Sequence, residues 1–376
     1  MSTSVVGIVR TSPETVLDDY RRVMEAADYR SELSDQVDTL LKLNLSWTRY
    51  FPACSSQPWQ LEGVLRTMLG DGFAPERLLP VENRTVVTDP LKGCRNNLWQ
   101  GVLDHYDMPF LPLTDVEWKT HRFERPLLKL NDIFPDGIEI PAMYEGRQVL
   151  HLPTVKTHGH STTTGAIKNS FGGLLKEVRH YAHKHIHEVL VDLVIMQKEL
   201  HPGIFAVMDG TVCGDGAGPR TMVPRIGNVL IAGADSVAVD AVAAKMMGFD
   251  PMEIPYLAMC HERELGCADV SRIDIVGDEL REFNPGFSTR RSLVIWGDQM
   301  LRRGPLRFLE KAALHSPLMA WAPFASNVYH DFMWYPTIGR RRIREFEQTP
   351  WGQMFDRYRR PVTAPGAQDG ETGDAG

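Results

Sequence analysis

Cysteine is scarce in this chain, and its spacing does not match common metal sites. Five cysteines occur in 376 residues without any CxxC pair, at Cys54, Cys94, Cys213, Cys260 and Cys267. Structural zinc sites and iron–sulfur clusters bound by the chain itself usually need closely spaced cysteines, so neither is predicted. Scattered cysteines in odd number instead indicate reduced thiols and a cytoplasmic protein.

Long apolar runs and an excess of positive charge are also missing. No apolar run approaches the length of a membrane span, and no apolar stretch near the N-terminus indicates a signal peptide. The net charge of −7 indicates that the surface as a whole does not bind nucleic acid. The apolar fraction of 43% and the charged fraction of 24% are normal for a globular protein.

Segments typical of strands and helices alternate along most of the chain. Ser12 and Pro13 resemble a helix start, with Ser12 as the cap, which predicts a helix to about Tyr29. Apolar and polar residues alternate over 37–46, as they do in a half-buried strand. Further strands are predicted over 78–87, 204–208, 227–232 and 273–276, and further helices over 58–69, 98–106, 186–200 and 235–247.

The order of these segments predicts an α/β fold with a mostly parallel sheet and helices on both faces. The predicted parts are an N-terminal helix over 1–35, an α/β core over 36–290, a helical extension over 291–360 and a disordered tail over 361–376. The extension is crowded with aromatic residues and arginines, which leaves two interpretations open. It packs on the core with its arginines in water, or it docks on a membrane surface or a partner through residues 321–360.

A dense group of polar side chains follows a strand-like stretch in the middle of the chain. Lys156, Thr157 and His158 come first, and Lys168 and Asn169 follow after a run of hydroxyl residues. Two lysines cannot both be buried without a counter-charge. They therefore face water or meet an anion, and the second interpretation is the working hypothesis.

The predicted anion clamp combines three lysines with three residues that form directional hydrogen bonds. Its members are Lys42, Lys156, Lys168, Asn44, Thr157 and Asn169. Ligands of open parallel sheets gather at the C-terminal strand ends, where Lys42 and Lys156 are expected to lie. A helix opening after Gly165 would add free backbone N–H groups. The alternative is a loop held by ion pairs to Asp209 and Asp235.

Histidines supply further candidates. His158 is a candidate general acid or base with a pKa lowered by neighbouring lysines, or else a hydrogen-bonded structural histidine. His183 and His187 are one turn apart on a helix, as metal ligands often are, although no HExxH pattern accompanies them.

Three aspartates complete the set of candidate ligand-binding residues. Asp209, Asp215 and Asp235 follow or flank predicted strands, where they would hold a divalent ion opposite a phosphate or orient Lys156. Asp235 has a second interpretation as the cap of the helix that follows it. No cofactor is identified from these residues.

Three blocks of sequence carry a family resemblance that covers residues 36–280. They are Lys42-Leu-Asn-Leu45, then Leu152-Pro-Thr-Val-Lys-Thr-His158 with Gly165-Ala-Ile-Lys-Asn-Ser-Phe-Gly172, then Val207-Met-Asp-Gly210 with Gly216-Ala-Gly-Pro219 and the segment 234–244. In this order and spacing they resemble the family called domain of unknown function 362. The resemblance implies a fold and a site, without a substrate. Many relatives carry a ferredoxin-like segment with clustered cysteines, which this chain lacks, so a ferredoxin-type iron–sulfur partner would be a separate protein.

Three functions are consistent with these observations. The first is an enzyme that binds an anionic small molecule or cofactor, with Lys156 and Lys168 stabilising negative charge and His158 moving a proton. The second is a redox or metal-binding protein that works with a separate iron–sulfur partner through histidines and Asp209 or Asp215. The third is a non-catalytic module that docks on a membrane surface or a partner.

Overall fold

A mixed sheet forms the centre of the computed structural model, which describes residues 3–85, 88–176, 182–216, 218–289 and 328–359. The predicted tail over 361–376 and the part of the extension before residue 328 lie outside these described residues. The strands are β1 (Ser4–Arg10), β2 (Thr39–Lys42), β3 (Leu78–Glu82), β4 (Leu111–Pro112), β5 (Trp118–His121), β6 (Ile138–Pro141), β7 (Gln148–His151), β8 (Thr154–His158), β9 (Thr162–Thr163), β10 (Ile204–Asp215), β11 (Val223–Gly233) and β12 (Ile273–Gly277).

The main sheet has the strand order β12-β1-β11-β10-β7-β2-β3-β4, and β8 pairs with β10 beyond the end of β7. Along this path β11 runs antiparallel to both of its neighbours, and the other described pairs are parallel. Strands β5 and β6 form a separate two-stranded sheet. The predicted α/β fold with a mostly parallel sheet is confirmed.

Side chains of the sheet alternate between two apolar cores on its opposite faces. Along β10, Phe205 and Val207 join one core, while Ala206 and Met208 join the other, as the two-residue period of a strand requires. Helices cover both cores, which confirms the predicted layers. They are α1 (Val16–Ala26), α2 (Tyr29–Glu32), α3 (Pro58–Gly70), α4 (Pro90–Asn96), α5 (Trp99–His105), α6 (Leu130–Ile133), α7 (Gly165–Leu174), α8 (Ile186–Leu200), α9 (Ser236–Met246), α10 (Pro255–Glu262), α11 (Arg340–Glu347) and α12 (Pro350–Tyr358).

The N-terminal region differs from its prediction in two ways. Strand β1 was not predicted, and it lies between β11 and β12 inside the main sheet. The predicted cap at Ser12 is wrong, because α1 begins at Val16 after Thr15. The carbonyl of Ser12 instead accepts the backbone N–H groups of Thr15 and Val16, so a turn precedes the helix.

Strands β10 and β11 also correct the predicted positions of two aspartates. Strand β10 continues past its predicted end at residue 208, so Asp209 lies within the strand instead of at its end. Asp235 follows β11 and accepts a hydrogen bond from Ser4 at the start of β1. Because β11 is antiparallel, Asp235 lies near the N-terminal end of β10, whereas Lys156 pairs with Gly214 near the C-terminal end. Hydrophobic patterning does not encode strand direction.

The C-terminal extension packs on the core through aromatic side chains. Its described part consists of a π-helical segment, Val328–Gly339, followed by α11 and α12. Trp334 of the π-helical segment packs at 5.3 Å from Phe51, measured between ring centroids, and Trp351 of α12 packs at 5.2 Å from Trp59. The predicted helical extension is therefore confirmed for residues 328–359. None of the helices in the described parts of the chain is long and apolar enough to cross a membrane.

Candidate functional site

A buried ion pair joins the C-terminal ends of two adjacent parallel strands. Lys42 ends β2 and Glu82 ends β3, and the lysine Nζ lies 2.9 Å from each carboxylate oxygen. Both side chains are almost completely buried, at 1% and 4% exposure. Glu82 also accepts the backbone N–H groups of Leu45 and Asn83 at 2.8 Å. Glu82 is not among the residues predicted from sequence. Its position in the predicted strand that follows that of Lys42 is the signal that could have identified it.

Two asparagines connect this ion pair to the second buried lysine. Asn169 on α7 donates to the carbonyl of Lys42 at 2.8 Å, and its Oδ1 accepts from Asn44 at 3.3 Å. Asn44 in turn accepts a hydrogen bond from Lys156. The structure therefore brings Lys42, Asn44, Lys156 and Asn169 together, as predicted. We call these four residues, together with Glu82, the buried lysine network.

Lys156 has no carboxylate partner among the described residues. Its side chain is 0% exposed, and its ammonium group donates to Asn44 Oδ1, to Ser46 Oγ at 3.0 Å and to the carbonyl of Cys54 at 2.5 Å. All three acceptors are neutral. Burial lowers the pKa of Lys156 to about 7, and the nearby positive charge of Lys168 contributes in the same direction. Ser46 and Cys54 were not predicted, because a loop distant in sequence supplies them.

Lys168 and His158 lie close to the buried lysine network. Lys168 is half-buried on α7, where its Nζ lies 5.6 Å from the centre of the Phe171 ring. His158 ends β8 and is 4% exposed. Burial lowers the pKa of His158 well below the usual value of 6.5, and the positive charge of Lys168 is the second cause. The predicted lowering of this pKa by lysines is correct in direction, but burial is the larger cause.

Backbone hydrogen bonds fix the tautomer of His158. Its Nδ1 accepts the N–H groups of His160 at 3.2 Å and Ser161 at 3.4 Å, so this nitrogen carries no proton. The neutral ring must therefore carry its proton on Nε2, for which the described residues supply no hydrogen-bond partner. A neutral imidazole in this tautomer can donate a hydrogen bond from Nε2 but cannot accept a proton there. The geometry thus disfavours the predicted role of His158 as a general base.

Nitrogen NMR of the histidine side chains tests this assignment. At pH 6.5, where an unperturbed histidine is half protonated, His158 is expected to remain neutral with its proton on Nε2. The His158→Gln variant identifies the signal by its disappearance. A protonated Nδ1 or an imidazolium signal at that pH would contradict the assignment.

The N-terminus of α7 is not available to a ligand, contrary to the prediction. The backbone N–H groups of Ala166 and Ile167 donate to the buried carboxylate of Asp240 on α9, at 2.6 and 3.2 Å. Gly165 has a φ of +65°, and an added Cβ would lie 2.2 Å from an Asp240 oxygen. Burial raises the pKa of Asp240 to about 7, and the two backbone hydrogen bonds oppose this rise. Asp240 therefore occupies the position that the sequence assigned to an anion.

Four other predicted ligand-binding side chains have partners of their own. Thr157 donates to the carbonyl groups of Gly214 and Gly216, away from the buried lysine network. Asp209 accepts from Tyr20, Trp59 and Thr211, and burial raises its pKa. Asp215 pairs with Arg225 at 3.4 Å. Asp235 caps α9 through the N–H groups of Val237 and Ala238, as its second interpretation predicted.

The predicted metal ligands His183 and His187 contact different neighbours. The ring of His183 lies against His160 and Phe171, whereas His187 stacks on Tyr256. Among the described residues, no three or more histidine, cysteine, aspartate and glutamate side chains are placed to hold one metal ion. All five cysteines are free and buried.

Two buried hydroxyl groups next to the network lack hydrogen-bond partners within the described residues. Tyr144 Oη is one of them, and it lies so close to Gly173 that an added Cβ there would be 2.4 Å away. The same Cβ would lie 3.2 Å from Lys42 Cε, which places Tyr144 beside the ion pair. Thr164 Oγ1 is the other, in a residue whose N–H donates to the Lys156 carbonyl. Unpartnered buried hydroxyls are uncommon in folded proteins, and a bound water or ligand atom is one of the ordinary explanations for them.

Comparison with known proteins shows the family of this chain. A family model described as "Domain of unknown function (DUF362)" matches residues 39–245, which is more than half of the chain and includes the buried lysine network. A curated relative, the thylakoid-associated protein sll1697 of Synechocystis sp., is 31% identical over 114 residues. That match covers 29% of this chain and 35% of the relative, so the chain spans about a third of that protein's length. No solved structure matches the chain.

Proposed function

We propose that this chain, which belongs to the DUF362 family, is an enzyme that binds an anionic small molecule beside the buried lysine network. The ammonium group of Lys156, which has no carboxylate partner in the described part of the chain, carries this proposal. A buried charge normally has an oppositely charged partner, and its absence costs free energy. A ligand carboxylate or phosphate near Lys156 and Lys168 would supply the missing negative charge.

The chemistry that these residues support is the stabilisation of negative charge. Lys156 and Lys168 would favour charge that develops on a ligand oxygen in a site shielded from water. His158 would donate its Nε2 proton in a hydrogen bond to such an oxygen, since its Nδ1 is occupied by backbone donors. The unpartnered hydroxyls of Tyr144 and Thr164 are candidates to orient the ligand. A general base is not assigned.

The free cysteines support a reducing compartment, so we place the enzyme in the cytoplasm. The Synechocystis relative carries the name thylakoid-associated protein, and a membrane association of the present chain is a separate proposal. A ferredoxin-type partner stays a hypothesis. Iron analysis of protein purified without oxygen, together with its co-purified proteins, would test that hypothesis.

A thermal-shift titration with inorganic phosphate and pyrophosphate as probe anions tests the proposed site. The wild-type protein is expected to show saturable stabilisation, because a ligand that binds only the folded state raises its melting temperature. The Lys168→Gln variant should bind the same probe about tenfold more weakly, the equivalent of about 1.4 kcal/mol. Lys168 is half-buried on α7, so its own replacement should leave the fold intact.

Lys119→Gln provides the matched control, because this lysine lies on β5 in an exposed ion pair with Glu145. Its probe affinity should equal that of the wild type. Equal weakening in both variants would mean that the anions bind through general surface charge, and the proposed site would be wrong. Native mass spectrometry of protein purified from its own host would then identify the natural ligand by mass.

A further inference from the structure

The π-helical segment has an inner face that is fixed to the core. Trp334 is 6% exposed and packs against Trp47 and Phe51. Asp331 accepts a hydrogen bond from Trp47 Nε1 at 2.8 Å, and Tyr335 donates to the carbonyl of Tyr50 at 3.0 Å. These contacts fix the rotation of the segment about its axis. They therefore also determine which side chains face away from the protein.

The outward side of the segment exposes large apolar side chains. Phe332 is 72% exposed, Met333 is 60% exposed and Ile338 is 38% exposed. Phe332 and Met333 have the highest exposures among the large apolar side chains of the described residues. Single exposed apolar residues are common, whereas Phe332 and Met333 are adjacent and lie on an anchored helix.

Exposed arginines follow this apolar cluster in the next helix, α11. Arg340, Arg341 and Arg344 are exposed, and an ion pair joins Arg341 to Glu345 at 3.7 Å. Residues 328–359 contain six arginines against four carboxylates, although the whole chain carries a net charge of −7. We call Phe332, Met333, Ile338 and the three arginines the outer face. It joins apolar and cationic side chains on an otherwise acidic protein.

We propose that the outer face docks the protein on an anionic membrane surface. Helices that lie on membranes insert apolar side chains among the acyl chains, while arginines meet the anionic headgroups. The apolar part here consists of three side chains, which is small beside the roughly 800 Å² that each partner buries in a stable protein interface. A lipid surface needs no complementary shape, so this small cluster suits a membrane better than a folded partner.

Co-sedimentation of the full chain with lipid vesicles tests the docking surface. The wild type should sediment with vesicles of equal parts phosphatidylglycerol and phosphatidylcholine, and much less with phosphatidylcholine alone. Phe332→Ser/Met333→Ser and Arg340→Gln/Arg344→Gln should each weaken binding by about tenfold or more, the first by removing insertion and the second by removing attraction to headgroups. All four side chains are exposed, so both variants should keep the wild-type melting temperature.

Matched controls come from exposed residues outside the extension. Met252→Ser removes a methionine that is 40% exposed, and Arg263→Gln/Arg272→Gln removes two exposed arginines. Both controls should bind vesicles as the wild type does. The proposal is overturned if the wild type does not bind anionic vesicles. It is equally overturned if the controls lose as much binding as the outer-face variants.

Discussion

Replacing Glu82 by glutamine is expected to destabilise the folded protein by about 3–5 kcal/mol. The substitution keeps the shape of the side chain but removes the carboxylate charge that pairs with the buried ammonium of Lys42. Within the described residues the neighbouring Lys156 has no carboxylate partner either, so the network would lose the Lys42–Glu82 ion pair. Urea unfolding of Glu82→Gln against the wild type measures the loss, which exceeds the typical effect of a single substitution.

Glu145→Gln is the matched control for this prediction. Glu145 pairs with Lys119 at the surface, where both side chains are more than one third exposed. Loss of an exposed pair should cost at most about 1 kcal/mol. The double variant Lys42→Met/Glu82→Gln removes the Lys42 charge together with its carboxylate partner, so it should be more stable than Glu82→Gln alone. A loss below about 1 kcal/mol for Glu82→Gln would mean that Lys42 is neutral or has another counter-charge.

Sequence patterns were sufficient to predict four of the five members of the buried lysine network, all except Glu82. The alternation over 37–46 correctly placed Lys42 and Asn44 on one face at the end of a strand. Parallel strand order then correctly placed Lys156 at the same edge of the sheet. The hydrogen-bond partners of these lysines are harder to predict from sequence. Glu82, Ser46 and the Cys54 carbonyl belong to other segments, which tertiary packing brings next to the lysines.

Strand direction and strand length explain the errors at Asp235 and Asp209. Apolar runs over 204–208 and 227–232 were recognised as strands, but their period is the same in parallel and antiparallel pairs. The antiparallel β11 moves Asp235 to the other end of β10, and the extended β10 places Asp209 inside the sheet. The capping of α7 by Asp240 could not be predicted either, since it joins two helices that are distant in sequence.

The stability that Lys156 contributes is expected to rise with pH. Its pKa is about 7 in the folded protein and 10.5 when unperturbed, so the unfolded chain binds more protons between these two values. Stability increases with pH wherever the unfolded state binds more protons. The free energy of unfolding of the wild type, relative to Lys156→Met, should therefore rise by about 1.4 kcal/mol per pH unit within this window. Below the window the difference should be constant.

Urea unfolding of both proteins at about pH 7, 8 and 9 measures this slope. Comparison with Lys156→Met cancels the titration of other groups that the two proteins share. Lys119→Met serves as the control, because this lysine is 38% exposed and already paired with Glu145. The difference in free energy of unfolding between Lys119→Met and the wild type should change little over the same pH range. A flat difference for Lys156→Met would show that the buried amine is charged and compensated.

The same measurement in the presence of a bound anion connects this stability effect to the proposed function. An anion beside Lys156 favours the charged amine and raises its pKa towards 10.5. The difference between the pKa values of Lys156 in the folded and unfolded states therefore becomes smaller. Saturating pyrophosphate should therefore reduce the pH dependence of the difference in unfolding free energy between the wild type and Lys156→Met. Binding of pyrophosphate should also be accompanied by uptake of a proton. If a probe anion binds but leaves this slope unchanged, it binds away from Lys156. Burial of Lys156 would then only destabilise the folded protein, and Lys156 would not bind the ligand.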